Sequence, residues 1–229
     1  MKAVFIDIDN TLLDFDAYVR TTMEQGFAHF GLPAYRPEMY HTFTTENNKL
    51  WRQIEEGTLT FEELQKIRWS NIFAALGFSF DGPTFERYFR EALHESAIPV
   101  PGAMDLLQSL SGGALLCVAS NGPYEQQLHR LEIGGMRPYF DYFFISERAG
   151  AAKPSREFFD YAFRALNGNR PDPILPQETL IIGDSLSSDM AGGLQYGMKT
   201  CYYRRSGAPA APAGVDYTVT DLRQISALF

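Results

Sequence analysis

The chain has 229 residues, 45% of them hydrophobic, which is enough to bury a sizeable core and excludes wholesale disorder. Its formal net charge of -8 at pH 7, with no offsetting run of Lys or Arg, repels nucleic-acid backbones and argues against a nucleic-acid partner. No stretch approaches the ~18 apolar residues that a membrane span needs.

The cysteines and the N-terminus bear on the cellular compartment. Cys117 and Cys201 lie in apolar, strand-like runs, which is typical of core thiols in a reducing compartment. The N-terminus leads directly into an apolar strand, so we expect no signal peptide. We therefore expect a cytoplasmic protein. Its oligomeric state is left open, because periodicity does not distinguish an exposed apolar patch from core.

Short apolar runs alternate with helical patterns through most of the chain. The first run, residues 2–8, is continuous, as in a strand buried on both faces. Later strands are predicted at 114–119, 142–145, 179–182 and 200–203, with helices at 104–110, 124–131, 155–166 and 189–196. This alternation predicts an α/β fold with a Rossmann-like parallel sheet core and helices on both faces. Active sites of such sheets lie at the carboxyl ends of the strands.

Residues 17–94 interrupt the alternation and contain only helical patterns. These patterns cover 17–30, 38–56, 60–76 and 83–94, and glycines separate them. We therefore predict an all-helical cap, residues 17–94, inserted after the first strand. The α/β catalytic core would then comprise residues 1–16 and 95–229, with hinges near 12–16 and 91–99.

Two acids, Asp7 and Asp9, follow the first strand. Strand side chains alternate, so these two leave the same face if the strand continues that far. A buried strand has no packing use for two carboxylates, and their desolvation must be offset by a cation or by donors. Close carboxylates also push their proton affinities apart, so one can be a nucleophile and the other an acid.

Polar residues also follow later segments. The hydroxyl of Ser120, at the end of the second strand, can donate to a phosphoryl oxygen, and the amides from Asn121 onward can extend the cradle. Asn121-Gly122 is equally a good turn dipeptide. Lys153 precedes a proline and a helix that begins near Ser155. Taken alone, such a lysine is typical of solvated surface.

A second acidic strand end is predicted at Asp184. Mg²⁺ prefers octahedral oxygen ligands and uses one or two carboxylates plus substrate phosphate. Asp7 and Asp184, brought together from adjacent strand ends, would satisfy that preference. Asp189 could ligate through water, hold Ser185 or Lys153 in place, or only favour a helix N-terminus through the helix dipole.

Four motifs in chain order resemble those of the haloacid dehalogenase (HAD) superfamily of aspartate-nucleophile phosphatases. They are Asp7-Ile8-Asp9-Asn10-Thr11, Ser120-Asn121, Lys153-Pro154 and Gly183-Asp184-Ser185 with Asp189, and the resemblance covers the whole chain. It implies that Asp7 attacks phosphorus to form an aspartyl-phosphate. Asp9 would protonate the leaving group and then deprotonate the hydrolytic water.

The resemblance also implies the binding groups. Lys153 would neutralise the phosphoryl group and Asp7, and the backbone carbonyl of Asp9 would join Asp7 and Asp184 as a Mg²⁺ ligand. The phosphate-binding residues implied in this way are Asn10, Thr11, Ser120, Asn121 and Lys153, with Ser185 and Asp189 in support.

The cap suggests a branch of the superfamily. Its position just after the first motif resembles the C1 helical cap class, and residues 47–57 and 61–69, together with the fourth motif, resemble the pyrimidine-type 5′-nucleotidase branch. Trp51 and Arg68 are markers of that branch, and Phe15 and Tyr18 could stack on a base.

We therefore expect a Mg²⁺-dependent phosphomonoesterase whose partner is a small-molecule phosphate monoester, with nucleoside 5′-monophosphates favoured. A sugar-phosphate or acylneuraminate-9-phosphate phosphatase shares these motifs, and a phosphomutase is a further alternative. A 2-haloacid dehalogenase would need neither a leaving-group proton nor a metal, so Asp9 and Asp184 argue against it. A non-enzymatic binding module would be favoured by loss of Asp7, Lys153 or Asp184, and all three are present.

Overall fold

The computed structural model describes residues 1–168 and 170–228. By their contacts the residues divide into two compact units. We call Met1–Asp14 with Ala97–Phe229 the core unit, and Phe15–Ser96 the helical unit. These boundaries lie close to the expected ones, 1–16 with 95–229 and 17–94. The role of the helical unit as a cap stays a prediction.

The described part of the core unit contains a six-stranded sheet in which every pair of neighbouring strands is parallel. Its strands are β1 (Ala3–Ile6), β2 (Leu115–Ser120), β3 (Tyr142–Ile145), β4 (Thr179–Gly183), β5 (Lys199–Tyr203) and β6 (Tyr217–Val219). The order β3-β2-β1-β4-β5-β6 places β1 between β2 and β4, where the winding of the sheet changes direction. The predicted Rossmann-like α/β fold is confirmed. The sequence did not predict β6, because three residues carry too little pattern.

The helices of the described chain fall between the strands and in the helical unit. They are α1 (Phe15–His29), α2 (Pro37–Glu55), α3 (Phe61–Leu76), α4 (Gly82–His94), α5 (Ala103–Leu110), α6 (Tyr124–Ile133), α7 (Ser146–Ala149), α8 (Arg156–Asn167) and α9 (Ala191–Tyr196). Short 3-10 turns occur at Arg137–Tyr139, Pro176–Glu178 and Leu222–Leu228. The helix expected at 189–196 is instead a π-helical turn, Leu186–Met190, followed by α9.

Helices pack on both faces of the sheet because the strands are apolar on both sides. Alternate residues of β1 point to opposite faces, so Val4 joins a cluster with α5 and α6 while Phe5 joins a cluster with α8. The ring of Phe5 stacks between Phe144 and Phe163, with centroids 5.5 and 5.4 Å away. Burying a ring of this size contributes roughly 1.5–3 kcal/mol, so β1 is a firmly held base for the acids that follow it.

The first strand ends earlier than the sequence predicted. β1 stops at Ile6, and the amide of Asp7 makes one more bond, 3.0 Å long, to Ile182 O. The chain then turns, with Asn10 at a φ of 64 and the amides of Leu12 and Leu13 bonded to Ile8 O. Asn tolerates this left-handed conformation better than most residues do. Asp7 and Asp9 are therefore not alternating positions of one strand, and the turn decides where Asp9 points.

The helical unit has an aromatic core of its own. Phe27, Trp69, Phe73, Phe85 and Phe89 are its buried centre, and the rings of Trp69 and Phe85 lie 4.2 Å apart. Helix α3 begins with a capping box in which Thr60 and Glu63 exchange hydrogen bonds, and it ends at Gly77. Among the described residues, no helix is both long and apolar enough to cross a membrane.

Two residues of this unit that the sequence singled out, Arg68 as a branch marker and Tyr18 as a stacking residue, are part of this core. Arg68 is 3% exposed and donates through two nitrogens to the carboxylate of Glu86, 3.0 and 2.5 Å away. Tyr18 is 3% exposed and donates from its hydroxyl to Phe89 O. The expected stacking of Tyr18 on a base is wrong for this structure, because packing against Phe15 and Phe89 occupies its ring.

Candidate active site

The site residues lie where parallel strands end at the change of winding direction. Asp7 follows β1, Ser120 ends β2, and Asp184 follows β4. Because the carboxyl ends of these neighbouring strands share one edge of the sheet, loops from distant parts of the chain meet there. Lys153 reaches the same place from the segment between α7 and α8.

Lys153 is the centre of the site. Its side chain is 1% exposed, and Nζ donates to Asp7 Oδ1 at 2.8 Å, to Asp189 Oδ1 at 2.5 Å and to Ala119 O at 2.5 Å. Burial alone would lower the pKa of Lys153, but Asp189 and Asp7 outweigh burial and raise it. The lysine is therefore a fixed positive charge and cannot serve as a base near neutral pH.

Asp7 has an unusual affinity for protons. Burial raises its pKa to about 7, with the charges of Asp189 and Asp9 adding to the effect and Lys153 opposing it. The main cause is that a buried carboxylate loses the water that would stabilise its charged form. A further cation beside Asp7 would keep it ionised.

The carboxylates offer a place for that cation. Oxygens of Asp7, Asp184 and Asp189 all lie within 4.8 Å of one another. The donor set consists of hard oxygens, which fits Mg²⁺. Arg205 forms an ion pair with Asp184, with its Nη1 3.8 Å from Asp184 Oδ2.

Asp189 has a specific structural role. Its Oδ1 accepts from Lys153 and its Oδ2 accepts from the amide of Ser185 at 3.1 Å, while the residue is 0% exposed. Of the roles left open for it, holding Lys153 and Ser185 in place is the one that these contacts favour. Ser185 itself caps the π-helical turn by accepting from the amide of Ser188 at 3.2 Å.

The end of β2 contributes the Ser120 hydroxyl and a side chain, that of Asn121, which holds the main chain of Lys153. Ser120 Oγ accepts from Gly122 N at 3.2 Å and from Gln127 Nε2 at 2.9 Å, which leaves its own proton to be donated. The side chain of Asn121 instead contacts the main chain of Lys153 twice, donating to its O at 3.0 Å and accepting from its N at 2.8 Å. These two contacts fix the orientation of the Asn121 amide, and phosphate binding by Asn121 stays a prediction.

Asn10 and Thr11 belong to the turn after β1. The amide of Asn10 donates to Leu13 O at 2.7 Å and that of Thr11 donates to Ile8 O at 3.2 Å. Thr11 is 0% exposed, and its Oγ1 has no hydrogen-bond partner among the described residues. The structure thus uses both amides within the turn, and phosphate binding by these two residues stays a prediction for their side chains.

Sequence reasoning missed the partners of Asp9. Arg130 Nη1 lies 2.7 Å from Asp9 Oδ1, and Gln127 Nε2 donates to Asp9 Oδ2 at 2.8 Å. Both partners come from α6, where they occupy buried positions together with Leu131. The available signal was the pair of polar residues, three apart, on the face that the helical pattern assigns to the core.

The parallel sheet and the carboxylate cluster around a buried lysine define an α/β enzyme with its site at the strand ends. Residues 1–197 match the family described as haloacid dehalogenase-like hydrolase. The chain belongs to this family and is a hydrolase, as the four motifs predicted.

Three curated relatives cover most of the chain. YfnB of Bacillus subtilis (strain 168), named as a HAD-hydrolase, is 33% identical over 92% of this chain and 87% of its own length. The pyrimidine 5′-nucleotidase YjjG of Escherichia coli (strain K12) is 31% identical over 98% of this chain and 96% of its own. The pyrimidine 5′-nucleotidase PynA of Streptococcus pneumoniae (strain ATCC BAA-255 / R6) is 32% identical over 88% and 83%.

A solved structure shows the same architecture. The crystal structure of YfnB bound to magnesium matches with a TM-score of 0.87 at 32% identity, over 99% of this chain and 97% of that chain. A match of this extent includes both the strands and the inserted helices.

Proposed function

We propose that the chain is a Mg²⁺-dependent phosphomonoesterase that hydrolyses nucleoside 5′-monophosphates through an aspartyl-phosphate. The observation that carries this proposal is the buried ammonium of Lys153, which contacts Asp7 and Asp189 at the edge where β1, β2 and β4 end. A fixed positive charge beside a carboxylate suits the transfer of a doubly negative phosphoryl group to that carboxylate.

In the first step, Oδ2 of Asp7 forms a bond to phosphorus while the bond from phosphorus to the ester oxygen breaks. Asp9 gives a proton to the departing oxygen, which leaves as an alcohol. Lys153 balances charge at Asp7, and the Ser120 hydroxyl, whose oxygen already accepts two hydrogen bonds, donates to a phosphoryl oxygen.

In the second step, water attacks phosphorus and the bond to Asp7 breaks, releasing inorganic phosphate. Asp9, which lost its proton in the first step, takes one from the attacking water, so the enzyme returns to its starting state. Splitting one difficult displacement into two is the benefit of a covalent intermediate.

Mg²⁺ bound by Asp7, Asp184 and the backbone carbonyl of Asp9 would neutralise phosphoryl charge. The hard-oxygen cluster and the raised pKa of Asp7 support this assignment, and the relative YfnB has been crystallised with magnesium. Asp189 is assigned to support, because both of its oxygens are hydrogen-bonded.

The preference for nucleotides rests on the relatives. YjjG and PynA, both named pyrimidine 5′-nucleotidases, are more than 30% identical to this chain over nearly its full length. Pyrimidine nucleoside monophosphates are therefore the first substrates to test.

The test is phosphate release from a panel with and without Mg²⁺. The panel contains UMP, dTMP, AMP, a hexose phosphate and an acylneuraminate 9-phosphate, and halide release from 2-chloropropionate is measured separately. We expect turnover of a nucleotide with Mg²⁺, its loss with chelator, and no turnover by Asp7→Asn. Preference for a sugar phosphate would reject the nucleotidase assignment. Substantial activity of Asp7→Asn would reject the nucleophile.

A further inference from the structure

We propose that Arg130 and Gln127 are positioning residues that hold the Asp9 carboxylate in line for proton transfer and link it to the Ser120 hydroxyl. The inference rests on the proposed phosphatase chemistry, and nothing in the four motifs assigns either residue. We call Gln127 and Arg130, with the three hydrogen bonds they make to Asp9 and Ser120, the α6 clamp.

The guanidinium of Arg130 has an arrangement that packing alone does not require. It is 1% exposed, and its Nη1 contacts Asp9 Oδ1 at 2.7 Å and Gln127 Oε1 at 2.9 Å. Asp9 in contrast keeps 34% of its side chain exposed. Burying a guanidinium is costly, and an apolar side chain of similar volume often stabilises a core as well or better. Here the buried guanidinium contacts a carboxylate that is partly exposed to solvent, where a substrate can reach it.

Gln127 is fully buried and all its hydrogen-bonding groups are used. One Nε2 hydrogen goes to Asp9 Oδ2 at 2.8 Å, the other to Ser120 Oγ at 2.9 Å, and Oε1 accepts from Arg130. This set of partners fixes the orientation of the amide, because the flipped form would aim Nε2 at a guanidinium that only donates. One side chain thereby holds both the proposed acid and the proposed phosphate-binding hydroxyl.

The backbone at the end of β2 makes room for this amide. A Cβ atom at Gly122 would lie 2.6 Å from Gln127 Nε2 and 2.9 Å from its Cδ. The clamp thus fits against a residue without a side chain.

The clamp does not prevent Asp9 from carrying a proton. A carboxylate offers about four lone-pair sites, and these contacts occupy one on each oxygen. What the contacts remove is rotation of the carboxylate. A displacement of about 1 Å from a catalytic geometry can cost ~10²-fold in rate, so a fixed direction matters for proton transfer.

The test compares two leaving groups on the same phosphoryl group. A nucleoside 5′-alkoxide needs a proton to depart, whereas p-nitrophenolate departs without one. The quantity compared is kcat/KM, which reports only the steps up to departure of the leaving group. For Arg130→Met, which removes a contact to Asp9 and none to Ser120, we expect kcat/KM for the best nucleotide to fall by ~10- to 100-fold and that for p-nitrophenyl phosphate to fall less than about threefold. Gln127→Leu also releases the Ser120 hydroxyl, so we expect a loss on both substrates that is clearly larger for the nucleotide.

Reference variants show what difference in kcat/KM loss between the two leaving groups a misplaced Asp9 produces. Asp9→Asn should show the same discrimination between leaving groups, and adding Arg130→Met to Asp9→Asn should cost little more. Arg137→Met removes an exposed pair with Glu132 and should leave both substrates unaffected. Gly122→Ala reaches the clamp from outside α6 and should reproduce the effect of Gln127→Leu.

Equal losses on both leaving groups in every clamp variant would show a merely structural role and overturn the inference, as would no loss on either. If Arg130→Met does not fold, the kcat/KM values of Gln127→Leu and Gly122→Ala test the inference in its place. A parent protein that hydrolyses neither phosphate would reject the proposed function itself, a result visible before any variant is made.

Discussion

Gly183 lies so close to Asp189 that a Cβ atom at position 183 would stand 2.1 Å from Asp189 Oδ2. Real Cβ contacts are never that short, so any other residue at 183 must displace the carboxylate that holds Lys153. The position of Lys153 therefore depends on the absence of a side chain at Gly183, at the end of β4.

Gly183→Ala should therefore lower activity without abolishing the fold. Movement of Asp189 releases Lys153 and the amide of Ser185 together, and we expect kcat to fall by about 10- to 100-fold. The overpacked site should also cost roughly 1–3 kcal/mol of stability. Phosphate release and thermal unfolding measure the two effects. Gly113→Ala is the control, because a Cβ there meets its nearest atom at an ordinary 3.6 Å. Parent-like activity of Gly183→Ala would contradict the role given to Asp189.

Lys153→Met should be costly in both stability and rate. It leaves Asp7 and Asp189 in a buried cluster without their shared counter-charge, and breaking a buried ion pair from one side costs ~3–5 kcal/mol. We expect at least a ~100-fold loss of kcat from the missing charge. Denaturant unfolding and steady-state kinetics measure these effects. Lys66→Met, which removes an exposed pair with Glu62, should change neither. A stable and active Lys153→Met would exclude the charge-balancing role.

The pH dependence of stability should report Asp7 once divalent ions are chelated. Its pKa is raised from 3.8 to about 7, mainly by burial, so between these values the folded protein holds a proton that the unfolded chain has released. Stability therefore falls as pH rises through that window. Asp7→Asn, which cannot ionise, should be more stable than the parent at pH 8, and the difference should shrink toward pH 4. Thermal unfolding across this range is the measurement, with the exposed Asp172→Asn as control. A difference that does not vary with pH would contradict the raised pKa.

The cysteines should be inert in the folded protein. Burial raises the pKa of Cys201 to about 12, and burial together with Asp141 raises that of Cys117. The thiolate is the reactive form, so a disulfide reagent at pH 8 should leave both residues unmodified until denaturant is added. Rapid labelling of either residue in native protein would show that its burial is incomplete in solution.

The sequence predicted which polar residues meet at the edge of the sheet because three of the four motifs follow an apolar run. Asp7, Ser120 and Asp184 were found as the first polar residues after buried strands, and parallel pairing alone brings such residues to one edge. The helices of the helical unit were also predicted to within a few residues, because no strand pattern interrupts them and glycines such as Gly77 end them.

What the sequence did not reveal depends on contacts between distant residues. The helical pattern places Gln127 and Arg130 on the core face of α6, but it does not show that their partner there is Asp9, 118 and 121 positions away in the chain. The second role of Asn121, as a brace for the main chain of Lys153, has the same origin. Arg68 was noted as a marker, but only the packing of α3 against α4 shows that its charge is neutralised internally.

The interior place of β1 has a consequence for how the enzyme is made. Strand β1 leaves the ribosome well before its partners β2 and β4, which begin only at Leu115 and Thr179. Closing such long loops is slow, and the contact of Lys153 with Asp7 spans 146 positions. Catalytic competence is therefore a late event in folding, and the regain of turnover after dilution from denaturant would time the insertion of this strand more directly than helix content does.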